Sequence, residues 1–191
     1  MRTIIPTDAK LVPKDAERVF KGRIFDVYHW QQKMFDGSYE TFEMLKRPDT
    51  IKVIAIKNGK VVVLDQLQPD SPAAFFDLPG GRHDYEEESE LDAAKRETLE
   101  ETGMTFKDWR LIDVQQPHSK IDWFVYLFLA TGFEEQQAQN LDSGEKIKAE
   151  LKSLDELKAL LHDPRTRHLP RDIIESCLSI EDLAGLPEYK I

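Results

Sequence analysis

The chain has one cysteine, Cys177, among its 191 residues. A single thiol cannot close an internal disulfide, and its neighbours Ile173, Ile174, Leu178 and Ile180 suggest a buried helix face, so packing rather than catalysis is expected of it. Long apolar runs are missing too. None approaches the roughly 18 residues of a membrane span, so no membrane association is expected. The opening stretch MRTIIPTDAK lacks the long apolar segment of a secretory signal. With the lone cysteine, this leads to an expectation of a cytoplasmic protein. Basic residues are in deficit, 26 Lys and Arg against 36 Asp and Glu, for a formal net charge of −10. That argues against a nucleic-acid or membrane-surface binder. It leaves room for a phosphate-bearing substrate, because a bound cation can invert the local field. Internal repeats and low-complexity tracts are also absent, and the length fits one domain with at most a small appendage.

What the chain does have is an acidic stretch flanked by glycines, Gly80–Met104, GGRHDYEEESELDAAKRETLEETGM. The spacing predicts a helix from Ser89 to Thr102. Ser89 caps it, with Asp92 three residues on completing a capping box, and Gly103 takes the left-handed position that ends it. At about 100° per residue, Glu97, Glu100 and Glu101 share one face, with Leu91, Ala94, Thr98 and Thr102 on the adjoining core-facing side. Arg96 stands one turn before Glu100, within ion-pair reach. Three carboxylates this close repel one another unless a cation neutralises them, and hard divalent ions favour such oxygens. An acidic helix with no such surroundings would be read simply as a solvated face.

Gly81, Glu88, Arg96, Glu97, Glu100, Glu101, Gly103 and Met104 together resemble the Nudix box. The chain has six residues between Gly81 and Glu88 where the family has five, and Thr98 replaces a large aliphatic residue. The resemblance implies an α/β fold, a Nudix-type α/β/α sandwich with a mixed sheet. It covers Ile51–Leu161. Ahead of it, FKGRIFDVYHW…DGSYETFEMLKRPDT is similar to the strand-rich N-terminal segment of the branch that cleaves ADP-ribose and nucleoside diphosphate sugars. This implies a small antiparallel meander, residues 1–48, placed before a hydrolase domain, residues 49–191, and joining two copies in a homodimer.

Along the chain, residues 1–16 read as a loosely attached arm. Arg18–Phe35 and Tyr39–Lys46 read as strands around a hairpin at Asp36-Gly37, and Ile51–Ile56 and Val61–Leu64 as strands around Asn58-Gly59. Trp109–Val114, the apolar Ile121–Ala130 and Glu145–Leu151 read as further strands, with Thr131–Gly144 as a polar, mobile loop. Ser153 and Glu156 form a second capping box, and a last helix is expected over Arg171–Leu183.

By residue-by-residue resemblance, the metal ligands are Glu97, Glu100, Glu101 and the carbonyl of Gly80, and the metal is Mg²⁺ or Mn²⁺. Arg96 holds the glutamates, and Glu88 orients Arg96 or the loop. The general base is Glu97 or, from a loop beyond the central strands, Glu145, with Glu134 and Glu135 as weaker alternatives. Arg82 and His118 are the substrate-binding candidates. Phe75, Trp123 and Phe124 could stack on a base, but core packing is the first expectation for each. The implied activity is divalent-metal-dependent hydrolysis of a nucleoside diphosphate linked to another moiety, a small-molecule nucleotide such as ADP-ribose. The alternatives are a nucleoside triphosphate pyrophosphohydrolase and a non-catalytic nucleotide-sensing module.

Overall fold

The computed structural model describes residues 2–85 and 87–190. Its first sheet holds β1 (Glu17–Lys21), β2 (Asp26–Lys33) and β3 (Tyr39–Lys46). The strand expected over Arg18–Phe35 is broken in two. The Gly22 N–H donates to the Phe25 carbonyl at 3.1 Å, reversing the chain so that β1 lies antiparallel on β2. The hairpin at Asp36-Gly37 is present, with the Met34 N–H on the Ser38 carbonyl at 2.8 Å.

Next come β4 (Asp49–Lys57) and β5 (Lys60–Leu67). They are joined at Asn58-Gly59, where φ values of 51° and 69° suit a two-residue hairpin turn. These strands pair only at Ile56–Val61 and Lys57–Lys60, and then part. The segment ahead of the acidic helix enters the gap. Its β6 (Phe75–Asp77) pairs with β5, and its β7 (Arg82–His83) pairs with β4. Between them, the Ile51 and Val53 N–H groups donate to the carbonyls of Gly81 and Pro79, both at 2.8 Å. The two glycines are thereby built into the sheet.

Then follow α1 (Glu90–Thr102), β8 (Met104–Gln115), β9 (Ile121–Asp122), β10 (Val125–Gln136) and β11 (Lys146–Lys152). The chain continues into α2 (Leu154–Leu160), α3 (Arg171–Ser176) and α4 (Ile180–Ala184). The larger sheet runs β11-β5-β4-β10-β8, with β10 parallel to β4 and antiparallel to β8. The smaller runs β1-β2-β3-β9. Alternation along the central strands sorts the core. Ile51, Val53, Tyr126 and Phe128 pack with Ala93 and Ala94 of α1 on one face. Ile54, Leu127 and Leu129 pack with Leu157, Ile174 and Leu183 on the other. This is the expected α/β/α arrangement with a mixed sheet.

Four local expectations need correction. The apolar run Ile121–Ala130 is interrupted at Trp123-Phe124, because the Phe124 N–H is drawn to Asp49 Oδ1 at 2.8 Å, so its first two residues join the smaller sheet instead. Thr131–Gly144 is not all loop, since Thr131–Gln136 continues β10. The last helix is two, separated at Cys177-Leu178, where Ser179 caps α4 in a box with Asp182; Cys177 is buried, as expected, but at the end of α3. The N-terminal arm is anchored rather than loose. Arg2 binds the buried Asp49 (2.7 Å) and Asp122 (2.6 Å), and Thr3 and Ile4 donate three hydrogen bonds to the buried Glu90 carboxylate. Among the described residues no helix is long and apolar enough to cross a membrane.

Candidate active site

Helix α1 is fixed at both ends by its own sequence. The Ser89 hydroxyl accepts the Asp92 N–H at 3.1 Å and donates to the Asp92 carboxylate at 2.7 Å. At the other end Gly103, with φ 70°, returns its N–H to the Leu99 carbonyl at 2.8 Å. Between the caps, Arg96 acts as a hub. Its Nε and Nη2 grip both oxygens of Glu88, at 2.8 and 3.0 Å, and its Nη1 reaches Glu97 at 2.8 Å and Glu100 at 3.2 Å. The Tyr85 ring lies 4.8 Å from the guanidinium. The hydrogen bonds to Glu88 push the Arg96 pKa upward, with Glu97 adding to the effect against burial. This is the orienting part expected of Glu88.

The glycines let the carboxylates approach the sheet. Gly80 has φ +141° and lies against the Ile51 carbonyl, with no room for a Cβ. Its N–H donates to Glu101 Oε2 at 2.7 Å. The expectation concerned the Gly80 carbonyl; the observed contact to the helix is made by the N–H. A side chain on Gly81 would strike the Glu97 carboxylate. Burial pushes the pKa of Glu97 up, with Glu100 and Glu145 adding repulsion that Arg96 only partly offsets. Glu101, almost wholly buried, is pushed well up by the same cause, against the Gly80 N–H and the charge of Lys52.

Glu145 is brought to the same place. The segment after β10 folds back over the end of α1. The Gln137 N–H bonds to the Gly103 carbonyl (2.8 Å), the Asn140 N–H to Glu100 (2.9 Å), and the Gln139 side chain to the Glu101 carbonyl. These bonds satisfy carbonyls that the helix leaves open at its C-terminus. They also lead the chain into the Asp142–Glu145 turn, where the Glu145 carboxylate accepts the Asp142 N–H at 3.1 Å. Burial raises the Glu145 pKa, and the charges of Asp142 and Glu100 add to it.

Glu97, Glu100, Glu101 and Glu145 all line one cleft of about 810 Å³, as does Arg82, 3.5 Å from Asp84. His118 does not line it: this exposed residue accepts the Lys120 N–H within its own loop. Glu134 and Glu135 lie exposed on β10, away from the cleft. The extra residue between Gly81 and Glu88 falls in a loop whose Glu86 lies outside the described residues.

Several cleft residues were missed by sequence reasoning. Lys52 is buried at the floor, 2.7 Å from Asp77, which also lies 3.5 Å from His168 Nδ1. Trp123, a base-stacking candidate for which core packing was the first expectation, lines the cleft with Arg47 4.7 Å above its ring. Phe75 carries Arg167 at 3.9 Å. The charged residue in the otherwise apolar run Ile51–Ile56 was the available signal for Lys52. Nothing local marks Arg167.

The donor set suits a hard divalent cation. It is made of carboxylate oxygens, and burial raises the pKa of two of these groups, Glu97 and Glu101. Among the described residues no three Asp, Glu, His or Cys side chains converge into a finished cage. Mg²⁺ does not need one, because it ordinarily takes one or two carboxylates and completes its shell with water and substrate phosphates.

The family model for the NUDIX domain matches residues 46–173, more than half of the chain. An ADP-ribose pyrophosphatase of Bacillus subtilis (strain 168) is 30% identical over 92 residues, so the match spans about half of each protein, 48% of this chain and 49% of that one. A methanol dehydrogenase activator of Bacillus methanolicus is 26% identical over 78% of this chain and 82% of its own length. Among solved structures, an ADP compounds hydrolase superposes with a TM-score of 0.65 at 20% identity, covering 80% of this chain and 83% of that one. A NUDIX hydrolase from Nitrosomonas europaea superposes at 0.56 with 24% identity, covering 74% and 91%. These last two establish likeness of fold. The helix with its Arg96 hub, the glycines set into the sheet and the match over residues 46–173 agree: the chain belongs to the NUDIX domain family.

Proposed function

We propose that this protein is a divalent-metal-dependent hydrolase of the pyrophosphate bond in a nucleoside diphosphate linked to another moiety, with ADP-ribose as the leading substrate. The observation that carries the reading is the row of Glu97 and Glu100 held by Arg96, with Glu101 on the Gly80 N–H, facing a cleft that Glu145 also lines. Glu97, Glu100, Glu101 and the Gly80 carbonyl would hold Mg²⁺ or Mn²⁺. When bound, the cation neutralises pyrophosphate charge and lowers the pKa of water. Arg96 keeps the glutamates aligned, and Arg82 meets the substrate at the cleft wall. Glu145, its proton affinity raised by burial and by neighbouring carboxylates, accepts the proton of the attacking water. The ADP-ribose pyrophosphatase relative supports the choice of substrate.

The same reading places the protein in the cytoplasm as a homodimer, residues 1–48 forming the joining unit ahead of the hydrolase domain in 49–191. The test is incubation with ADP-ribose and Mg²⁺, with chromatography of the products. AMP and ribose 5-phosphate are expected, and neither in excess chelator. Release of pyrophosphate from ATP with ADP-ribose left intact would overturn the substrate assignment, and full turnover in chelator would overturn the metal.

A further inference from the structure

Two arginines lie over aromatic rings in the cleft, Arg47 over Trp123 at 4.7 Å and Arg167 over Phe75 at 3.9 Å. Among the described residues neither makes an ion pair, although the charge of Asp49 acts on Arg47. The Arg47 Nε bonds only to the Pro48 carbonyl, at 3.4 Å, and the Arg167 Nη2 only to the Ser71 hydroxyl, at 3.0 Å. The two shelves stand on opposite sides of β4. Phe75 is on β6, which pairs with β5, while Trp123 lies in the link between β9 and β10, and the sheet order puts β4 between β5 and β10. Gly81 is bonded to β4 at Ile51, with Gly80 beside it bound to Glu101, so the carboxylates meet the sheet between the shelves.

The Arg167 shelf is built rather than incidental. Its segment is clamped to β6 from both sides, with the Phe76 N–H on the Arg165 carbonyl at 3.0 Å and the Arg167 N–H on the Phe76 carbonyl at 2.9 Å. The next residue, His168, has φ 51°, a left-handed conformation uncommon for a residue with a side chain. That bend brings its ring to Asp77 at the cleft. Directly across the strand pair from Phe75 is Gln66. It is 5% exposed and lines the cleft, and its Oε1 is buried with no hydrogen-bond partner among the described residues. A planar cation on an aromatic base and an unspent amide beside it are the parts that hold a flat, hydrogen-bonding ring.

We propose that Arg167, seated on Phe75, is a specificity-determining residue that stacks on a heteroaromatic ring at one end of the substrate while a second ring stacks on Arg47 and Trp123. The inference rests on the pyrophosphohydrolase reading and narrows it. Substrates with a ring on both sides of the pyrophosphate are preferred over those with a bare sugar on one side. Gln66 takes the edge of the ring on the Arg167 shelf.

The experiment compares kcat/KM for P1,P2-di(adenosine-5′) diphosphate and for ADP-ribose in Mg²⁺, using wild type, Arg167→Ala and Arg167→Lys. Wild type should favour the dinucleotide by about fivefold or more, the range expected of ring–guanidinium stacking. Arg167→Ala should remove the preference through the KM of the dinucleotide and leave ADP-ribose within about twofold, since one shelf remains for its single base. Arg167→Lys should behave like Arg167→Ala, because it keeps the charge and loses the plane. Three results would overturn the inference: no preference in wild type, an equal fall for both substrates in Arg167→Ala, or full preference in Arg167→Lys. In each of these, continued ADP-ribose cleavage by wild type would leave the pyrophosphohydrolase reading standing. Cleavage of neither substrate by wild type would overturn both.

Discussion

Single side chains in the cleft carry distinguishable burdens. Glu101 is buried against the Gly80 N–H, so Glu101→Gln is nearly isosteric, and its amide oxygen can still accept that hydrogen bond. The substitution should leave the melting temperature close to wild type and cut turnover by about 10²-fold or more, a size ordinary for a lost charge at a reacting centre. Glu145 lies outside the helix. Glu145→Gln should lower kcat by about 10²–10⁴-fold and leave Mn²⁺ affinity unchanged, whereas Glu97→Gln should lose both. A fall below about fivefold for Glu145→Gln would return the base to Glu97. Asp77 serves stability. Burial raises its pKa, but the charge of Lys52 and hydrogen bonds from His168, Lys52 and the Leu78 N–H outweigh this and hold it below its ordinary value. A depressed folded-state pKa means stability that is fully present above the unfolded value of about 3.9 and is lost as pH falls through the folded one. Asp77→Asn leaves the Lys52 ammonium buried without its counter-ion, at a cost of about 3–5 kcal/mol. Urea unfolding should therefore show a gap between wild type and Asp77→Asn that is full at neutral pH and narrows below about pH 4. A gap that stayed constant under acid would show that this ion pair does not carry it.

At the level of elements, the acidic helix shows what a sequence makes legible. Ser89, the carboxylate face and Gly103 are local signals, each decided within a few residues, and α1 starts and stops where they indicate. The two hairpin turns are equally local, and so is the Ser153–Glu156 box. What stayed illegible depends on distant partners. Nothing in Thr131–Gly144 announces that its Gln137, Gln139 and Asn140 will bond to the last carbonyls of α1, yet those bonds bring Glu145 to the cleft. Likewise, the break at Trp123-Phe124 is caused by Asp49, 75 positions away in the chain. Polar composition in Thr131–Gly144 suggests mobility, whereas Gln137, Gln139 and Asn140 have partners across the fold. Gly103 joins the two kinds of information. Its φ of 70° ends the helix, and its carbonyl receives the loop, whose Gln137 carbonyl sits where a Cβ would go. Gly103→Ala should consequently cost more than the roughly 1 kcal/mol of a simple left-handed cap. It should also lower kcat, because the loop carrying Glu145 must shift to admit the methyl group. Loss of stability with kcat intact would show that the loop finds its place without this anchor.

For the molecule as a whole, the question is what covers the smaller sheet. The burial pattern of β1 is exposed throughout, and Val19, Phe20, Ile24 and Phe25 present apolar side chains around one turn, with Phe35 fully exposed at the tip of the next hairpin. Such a patch on a small sheet is costly in water, and its burial is what the proposed homodimer would supply. The patch adjoins the cleft, since Ile24 is among the residues that line it. The N-terminal arm does not shield it, being committed to Asp49, Asp122 and Glu90. A second copy of the chain is the occupant this arrangement suggests, set against the turn at Gly22–Phe25 and therefore beside both active clefts. Sedimentation at micromolar concentration should find a dimer. Phe20→Asp, which puts a charge into the patch without touching the larger sheet, should shift it to monomer and leave the far-ultraviolet spectrum unchanged. Because Ile24 borders the cleft, the monomer should also bind substrate more weakly, with KM rising more than kcat falls. A wild-type monomer at these concentrations would leave the exposed ring of Phe20 without a partner of its own kind and refute the assembly.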